Sequence, residues 1–390
     1  MNILQICHHL VGHWGNVPYN LSLNLSKKGL KVIILTMNKP TNLPSNIQFI
    51  ELKPIVNFNF SRDIELVLRL LNKKELFKEA DVIHVHQPFG IVATHLCKVE
   101  KPLLYTLHGL FFEEQQLLNS YPGLQGFEGI RYKIGSRMVF MEKMTAIKNF
   151  PCYINTLSTT TKLHLMNLGI DEKRLVVIPN GYNELLFKPM DTNKCKRLIL
   201  SRLGISKNFQ IISTLCEITP LKGIHDLIFA FNDVLKFNNN VLLLIAGPIV
   251  LKGYYKYLLK LLSKLKITNR VFFIGYISPH EVPVFLNGSD VFTLCSYSEG
   301  APLVVPEALG CNRPILVSTS CAPKDYGLPY ELTFKPGNIQ EISSKLKDVL
   351  TNNYKYCKYY EKLYNYAIEN LTWSAIAEKH IKFYEKILYN

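Results

Sequence analysis

Two doubly wound α/β domains are the fold class this sequence predicts, and three observations predict it. The chain of 390 residues exceeds the roughly 250–300 residues at which a single hydrophobic core usually stops growing. Its apolar runs are strand-sized and alternate with helically spaced segments, the pattern of βαβ units. The series closes near residue 187 and a second one starts near residue 210. Residues 1–187 and 188–373 are therefore expected to form separate domains.

The opening is strand, loop, helix, strand. The apolar run Ile3 to Cys7 gives way to Gly12 and Gly15, then to a helical pattern, then to Lys31-Val32-Ile33-Ile34-Leu35-Thr36. Pro18 suits a first helical turn, where its missing N–H costs nothing, and Lys27-Lys28-Gly29 is a C-terminal stop. Further buried-strand runs at Asp81 to Val85 and Leu103 to Thr106 end in polar residues, as at the carboxyl edge of a parallel sheet. Val176-Val177-Ile178-Pro179-Asn180-Gly181 carries the Pro and Gly of a turn that leaves the sheet.

The second series begins at Gln210 to Leu215. A helix from His225 follows, with Leu227, Ile228, Phe231, Val234 and Leu235 at helical spacing, and then strands at Val241 to Ala246 and Val271 to Ile274. The end of the chain spaces Trp373, Ile376, Ala377, His380, Ile381, Tyr384, Ile387 and Leu388 by threes and fours. Such an amphipathic helix must dock its apolar stripe on something.

Composition narrows the function classes. The hydrophobic fraction is 48% and the charged fraction 19%, which exclude a disordered or repetitive chain. The N-terminus lacks a basic start and a long apolar run, so neither a signal peptide nor a transmembrane helix is expected. Nine cysteines without a C-x-x-C pair, several in strand-like runs, point to buried thiols in a reduced, cytoplasmic setting. The formal net charge of +15 implies affinity for anions. Lysines spread along the chain, with no basic and aromatic interleaving on one face, argue against nucleic acid. The segment from Arg131 to Lys143 mixes basic with apolar residues, as an interfacial helix does, and suggests peripheral contact with an anionic membrane at its inner face. The opposing expectation is a core helix that packs Ile134, Met138 and Met141 inward.

The most informative stretch runs from Asp290 to Gly310. An apolar strand enters a polar loop and then a helix start, with Glu299 before the helix and Glu307 inside it, seven residues between them. Free backbone N–H groups at such a start attract an anion. A carboxylate two turns further can accept bonds from the vicinal hydroxyls of a ribose. Here the chain resembles the family 4 (group 1) glycosyltransferases, retaining enzymes of the two-domain GT-B fold. The same likeness runs through the start to Gly15, Asp81 to His86, Thr106-Leu107-His108-Gly109, Ile178 to Gly181, Thr219-Pro220-Leu221-Lys222-Gly223, Phe273 to Tyr276, and Cys311-Asn312-Arg313-Pro314.

The resemblance implies two facing Rossmann-like domains with an interdomain cleft, and a terminal helix 374–390 that crosses back to the first, acceptor-side domain. It implies Glu299 on the donor sugar, Glu307 on the nucleotide ribose, and amides of Leu303 and Val304 on a phosphate within the loop Gly300, Ala301 and Pro302. Lys222 would hold the donor diphosphate and His108 the donor sugar, making His108, Glu299 and Lys222 the catalytic group. Gly15, Asn16, Glu217 and Tyr276 complete the expected donor site, and His86 is expected on the acceptor side. No metal and no cofactor are expected, only a nucleotide-diphosphate sugar as co-substrate and a glycan, lipid or small-molecule acceptor.

Three departures bear on that expectation. Cys216 and Glu217 stand where the family has an Arg shortly before the lysine. A charge-assisted Arg–phosphate bond is worth about 1.5–3 kcal/mol, whereas a carboxylate about 4 Å from a phosphate costs about 4 kcal/mol at an effective dielectric near 20. Glu217 must turn away, pair with Lys222 or a metal, or reflect a changed donor. Asn16 replaces a second loop glycine and is expected to crowd the loop, and Pro306 is expected to remove an early helix hydrogen bond. Glu217 also motivates the rival reading, a catalytically silent sugar-nucleotide or polyanion-binding protein. A dinucleotide oxidoreductase is opposed by the lack of G-x-G-x-x-G after the first strand, and a sugar-nucleotide epimerase of the same fold is a minor alternative.

Overall fold

A computed structural model describes residues 1–8, 16–38, 45–52, 59–109, 119–122, 124 and 126–389. By contacts the chain forms two units, Met1–Leu110 with Met138–Gly181 and Leu371–Asn390, and Phe111–Arg137 with Tyr182–Asn370. The expected border at residue 187 thus falls at Gly181, and Phe111–Arg137 groups with the second unit rather than the first. The helix Gly126–Asn149 is divided between the two.

The first unit holds seven parallel strands: β1 (Asn2–Ile6), β2 (Lys31–Thr36), β3 (Ile47–Glu51), β4 (Val82–Val85), β5 (Leu103–Thr106), β6 (Tyr153–Asn155) and β7 (Leu175–Val176), in the order β3-β2-β1-β4-β5-β6-β7. Helices cover both faces of such a sheet, so its strands are buried and read as continuous apolar runs. Leu4, Ile6, Leu35, Ile83, Val85 and Ile154 lie in its core. The terminal helix Trp373–Tyr389 belongs to this unit, where Trp373, Ile376, Ala377, His380, Tyr384 and Ile387 are buried and the helix packs on Asn16–Lys27. A side chain at Gly181 would come within 3.0 Å of Trp373 and Ile376. This close passage accounts for the glycine where the chain leaves the unit.

The second unit holds β8 (Gln210–Leu215), β9 (Val241–Ala246), β10 (Val271–Gly275), β11 (Val291–Leu294), β12 (Ile315–Ser318) and β13 (Thr333–Phe334), parallel and in the order β10-β9-β8-β11-β12-β13. Both sheets reverse strand order beside their first strand, at β1/β4 and at β8/β11. Loops diverge at such a switch point and leave a crevice beyond the carboxyl ends of the strands.

Candidate active site

At the β8/β11 switch point the sequence fixes a tight turn. Pro220–Lys222 is one turn of 3₁₀ helix, closed by Gly223 in the left-handed region at φ +61°. A Cβ there would lie 2.3 Å from the Cys295 carbonyl oxygen, so only glycine lets the turn lie against the end of β11. The Tyr297 amide donates to the Leu221 carbonyl at 2.8 Å. These contacts bring Lys222 to the loop after β11, where its Nζ donates to Glu299 Oε1 at 2.7 Å. Ser296 Oγ donates to the same oxygen at 2.7 Å. Burial alone would lower the Lys222 pKa, but Glu299 more than offsets it and the ammonium is held above its usual range.

The helix Val304–Gly310 follows that loop. Glu307 lies in its first turn, partly open to solvent, and its carboxylate has no hydrogen-bond partner among the described residues. Burial pushes its pKa up to about 8. The amides of Leu303 and Val304 likewise carry no partner among the described residues. Pro306 is the third helical residue, and the first four N–H groups of a helix lack intrahelical acceptors. Pro306 therefore removes no hydrogen bond, contrary to expectation, and Glu307 N still reaches the Leu303 carbonyl at 3.2 Å.

At the β1/β4 switch point the chemistry is aromatic and neutral. His84 and His86 stack with centroids 4.5 Å apart, His86 stacks with His108 at 5.2 Å, and His84 with His380 at 5.5 Å. His84 is hydrogen-bonded through Nδ1 to the Tyr384 hydroxyl and through Nε2 to the Thr106 hydroxyl, each at 2.7 Å. His86 joins His108 Nε2 through Nδ1 at 2.9 Å and Gln5 Oε1 through Nε2 at 3.2 Å. Lys143 Nζ donates to the backbone carbonyls of His108 and Gly109. Burial holds the pKa of His84 and His86 well below the usual range, and brings His380 to about 4 and His108 to about 3, with Lys143 adding to the effect at His108.

Two stretches together spanning most of the chain match family descriptions: residues 15–184 match Glycosyltransferase Family 4 and residues 196–370 match Glycosyl transferases group 1. The chain belongs to the family 4 (group 1) glycosyltransferases. An alpha-monoglucosyldiacylglycerol synthase of Streptococcus pneumoniae is 26% identical over 309 residues, 76% of this chain and 65% of that protein. The enzyme of the same name from Acholeplasma laidlawii is 25% identical over 76% of this chain and 74% of its own length. The chain thus spans just under two thirds of the streptococcal relative. Among solved structures, HepE from Anabaena in complex with UDP and glucose has a TM-score of 0.76 at 16% identity, covering 99% of this chain and all of its own. Sucrose-phosphate synthase from Thermosynechococcus elongatus reaches 0.77 at 17%, covering 100% and 99%. The fold is therefore GT-B.

In this member of the family, Lys222, Glu299, Gly300, Ala301, Pro302, Leu303, Val304 and Glu307 lie in the second unit. Glu217 follows the end of β8, partly exposed; its carbonyl accepts from the Thr219 amide at 2.9 Å, and its carboxylate has no hydrogen bond or ion pair among the described residues. Of the outcomes open to it, a hydrogen bond to Lys222 is not formed, although the Glu217 charge is close enough to help raise the Lys222 pKa. Among the described residues no group of three His, Cys, Asp or Glu could hold a metal ion. Tyr276 follows β10 and is 72% exposed, with no bond to the Lys222–Glu299 pair. In the first unit, Gly15 lies outside the described residues, while Asn16 opens the helix Asn16–Lys27. His86 lies in the first unit, 3% exposed, with both ring nitrogens engaged within the protein.

Sequence reasoning missed Ser296, Gln5 and the pair Asp226 and Tyr297, whose hydroxyl donates to Asp226 Oδ2 at 2.7 Å. A signal existed for Gln5, a polar residue in the middle of the apolar run of β1 that is fully buried.

The helix Gly126–Asn149 leaves Ile130, Ile134, Met138 and Met141 each more than half exposed, at 54–65%. The alternative in which Ile134, Met138 and Met141 pack inward is therefore excluded. No helix among the described residues is long and apolar enough to cross a membrane.

Proposed function

We propose that this chain is a retaining glycosyltransferase that moves a sugar from a nucleotide-diphosphate sugar to a glycan, lipid or small-molecule acceptor. One observation carries the reading: at the second switch point Lys222 is bonded to Glu299 in the loop after β11, and the helix that follows offers a carboxylate, Glu307, and the amides of Leu303 and Val304 without hydrogen-bond partners among the described residues. Lys222 and the amides of Leu303 and Val304 would balance the charge of the departing diphosphate. Glu307 would accept from the ribose hydroxyls and Glu299, through the oxygen not shared with Lys222, from the sugar. His108 takes its assignment to a sugar hydroxyl from the family pattern.

The bond from the anomeric carbon to the acceptor oxygen forms as its bond to the diphosphate breaks, on the same face of the ring. The acceptor proton passes to the donor phosphate, so no side chain need act as a nucleophile, and no metal is required. The relatives named as diacylglycerol-glycoside synthases favour a lipid acceptor. The exposed apolar residues beside Arg131 and Arg137 fit peripheral contact with an anionic membrane.

A thermal-shift screen against UDP, GDP, ADP and their sugars tests the donor, since a ligand at a hundredfold excess over its Kd adds about 2.7 kcal/mol of stability. One nucleotide series should stabilise the protein, and its sugar should then be transferred or hydrolysed. Stabilisation by none would overturn the reading, and stabilisation without turnover would leave a silent sugar-nucleotide-binding protein. Flotation of the chain with anionic but not neutral liposomes at low salt is the expected outcome for the membrane contact, and equal recovery would remove it.

A further inference from the structure

We propose that Gln5 and His86 are positioning residues which hold His108 in the form protonated at Nε2 and bare at Nδ1, so that it meets its ligand as a hydrogen-bond acceptor. The argument follows from which atoms can donate. Gln5 Oε1 can only accept, so the His86 nitrogen 3.2 Å from it, Nε2, carries the hydrogen. A ring this buried stays neutral, which leaves His86 Nδ1 bare and able only to accept. Its partner at 2.9 Å, His108 Nε2, must therefore donate. His108 is neutral as well, so its Nδ1 is bare, and no described residue occupies it.

Each neighbour removes a freedom. Stacking between His84 and His108 prevents the His86 ring from turning over. His84 is itself held at both nitrogens by Thr106 and Tyr384. Lys143 fixes the backbone of His108 through two carbonyls. Gln5 Nε2 is buried without a partner among the described residues. An amide retained there with its nitrogen unpaired fits a group kept for its oxygen. The proposal rests on the assignment of His108 to a sugar hydroxyl only for its consequence: the hydroxyl would donate to Nδ1.

The test reads the tautomer directly in the full chain. Imidazole nitrogen shifts of ¹⁵N-histidine-labelled protein near neutral pH distinguish a bare from a protonated nitrogen, and His108→Gln and His86→Asn spectra assign the two rings. Both rings should show protonated Nε2 and bare Nδ1. In Gln5→Met, which keeps the volume but loses the acceptor, both should become mixtures, and kcat/KM should fall roughly three- to tenfold, the size of one neutral hydrogen bond. His86→Asn, whose amide oxygen can take the place of Nδ1, should keep His108 protonated at Nε2.

A wild-type His108 protonated at Nδ1, as an amide turned end for end would produce, overturns the proposal. So does a wild-type mixture, or a His108 signal unmoved by Gln5→Met. Wild-type protein with the expected tautomer but no turnover of any nucleotide sugar keeps the positioning chain and removes the transferase reading instead.

Discussion

The two switch points occupy the same place in two sheets of the same construction, yet one is built of neutral rings and the other around an ion pair. At β1/β4, His84, His86 and His380 lie fully buried among rings and hydroxyls, where burial disfavours the charged form. At β8/β11, Lys222 and the Ser296 hydroxyl both donate to Glu299 in the loop after β11, and the carboxylate of Glu307, in the helix that follows, has no hydrogen-bond partner among the described residues. The difference teaches that the fold supplies a crevice but not its chemistry. The neutral end offers shape and directed lone pairs, and the charged end offers balance for a diphosphate.

The largest expected effect breaks the charged end through its backbone. Gly223→Ala forces a left-handed alanine whose Cβ meets the Cys295 carbonyl at 2.3 Å. Gly29→Ala, at φ +88° with nothing within 4 Å, bears only the conformational cost of about 1–2 kcal/mol. Thermal unfolding should place Gly223→Ala well below Gly29→Ala, and Gly223→Ala alone should lose donor affinity. Equal losses would show that the turn at Lys222 is not set by that contact.

Acid should break the neutral end next. His84, His86 and His380 have folded pKa values lowered from 6.5, so below pH 6.5 the unfolded chain binds protons the folded chain does not. Stability should be complete above pH 7 and fall by about 1.4 kcal/mol per ring for each pH unit below 6.5. A pH series of denaturant unfolding checks this, and a flat profile from pH 7 to 5 would contradict it.

The charged end should also lose function on acidification, through binding rather than stability, because the Glu307 pKa of about 8 is raised from the usual carboxylate range. Ribose hydroxyls donate to a carboxylate, so donor affinity should rise from pH 6 to 8 and level off above, with proton release on binding. Calorimetry in buffers of different ionisation enthalpy measures that release. The smallest expected change sharpens the same end. Glu217→Arg should tighten donor binding or raise turnover and Glu217→Gln should do so in part, because each removes a carboxylate that opposes the diphosphate. Loss of activity in both variants, with the fold intact, would give Glu217 a positive role of its own.

Much of this arrangement was legible in the sequence. Lys31–Thr36, Gln210–Leu215 and Val241–Ala246 are strands at the bounds expected, because strands of a parallel sheet buried on both faces read as uninterrupted apolar runs. The spacing of Glu299 and Glu307 was legible because strand, loop and helix start are contiguous. Contacts across long separations were not: His84 meets Tyr384 across 300 positions, and nothing local to either residue records it. Pro306 was misjudged because the cost of a helix proline depends on its distance from the first turn, which depends on where the helix begins. The bonds of His86 to Gln5 and His108 were not legible, because a strand-end histidine reads the same whether its nitrogens face a ligand or the core.

The central claim is that the β8/β11 switch point binds the donor through Glu307 and acts on it through Glu299. Donor affinity and turnover, measured together on wild type, Glu307→Ala and Glu299→Ala with the nucleotide sugar chosen by thermal shift, test it most directly. Glu307→Ala should weaken binding at least about tenfold, near 1.4 kcal/mol, while Glu299→Ala should chiefly lower turnover. Unchanged affinity and turnover in both variants would contradict the account.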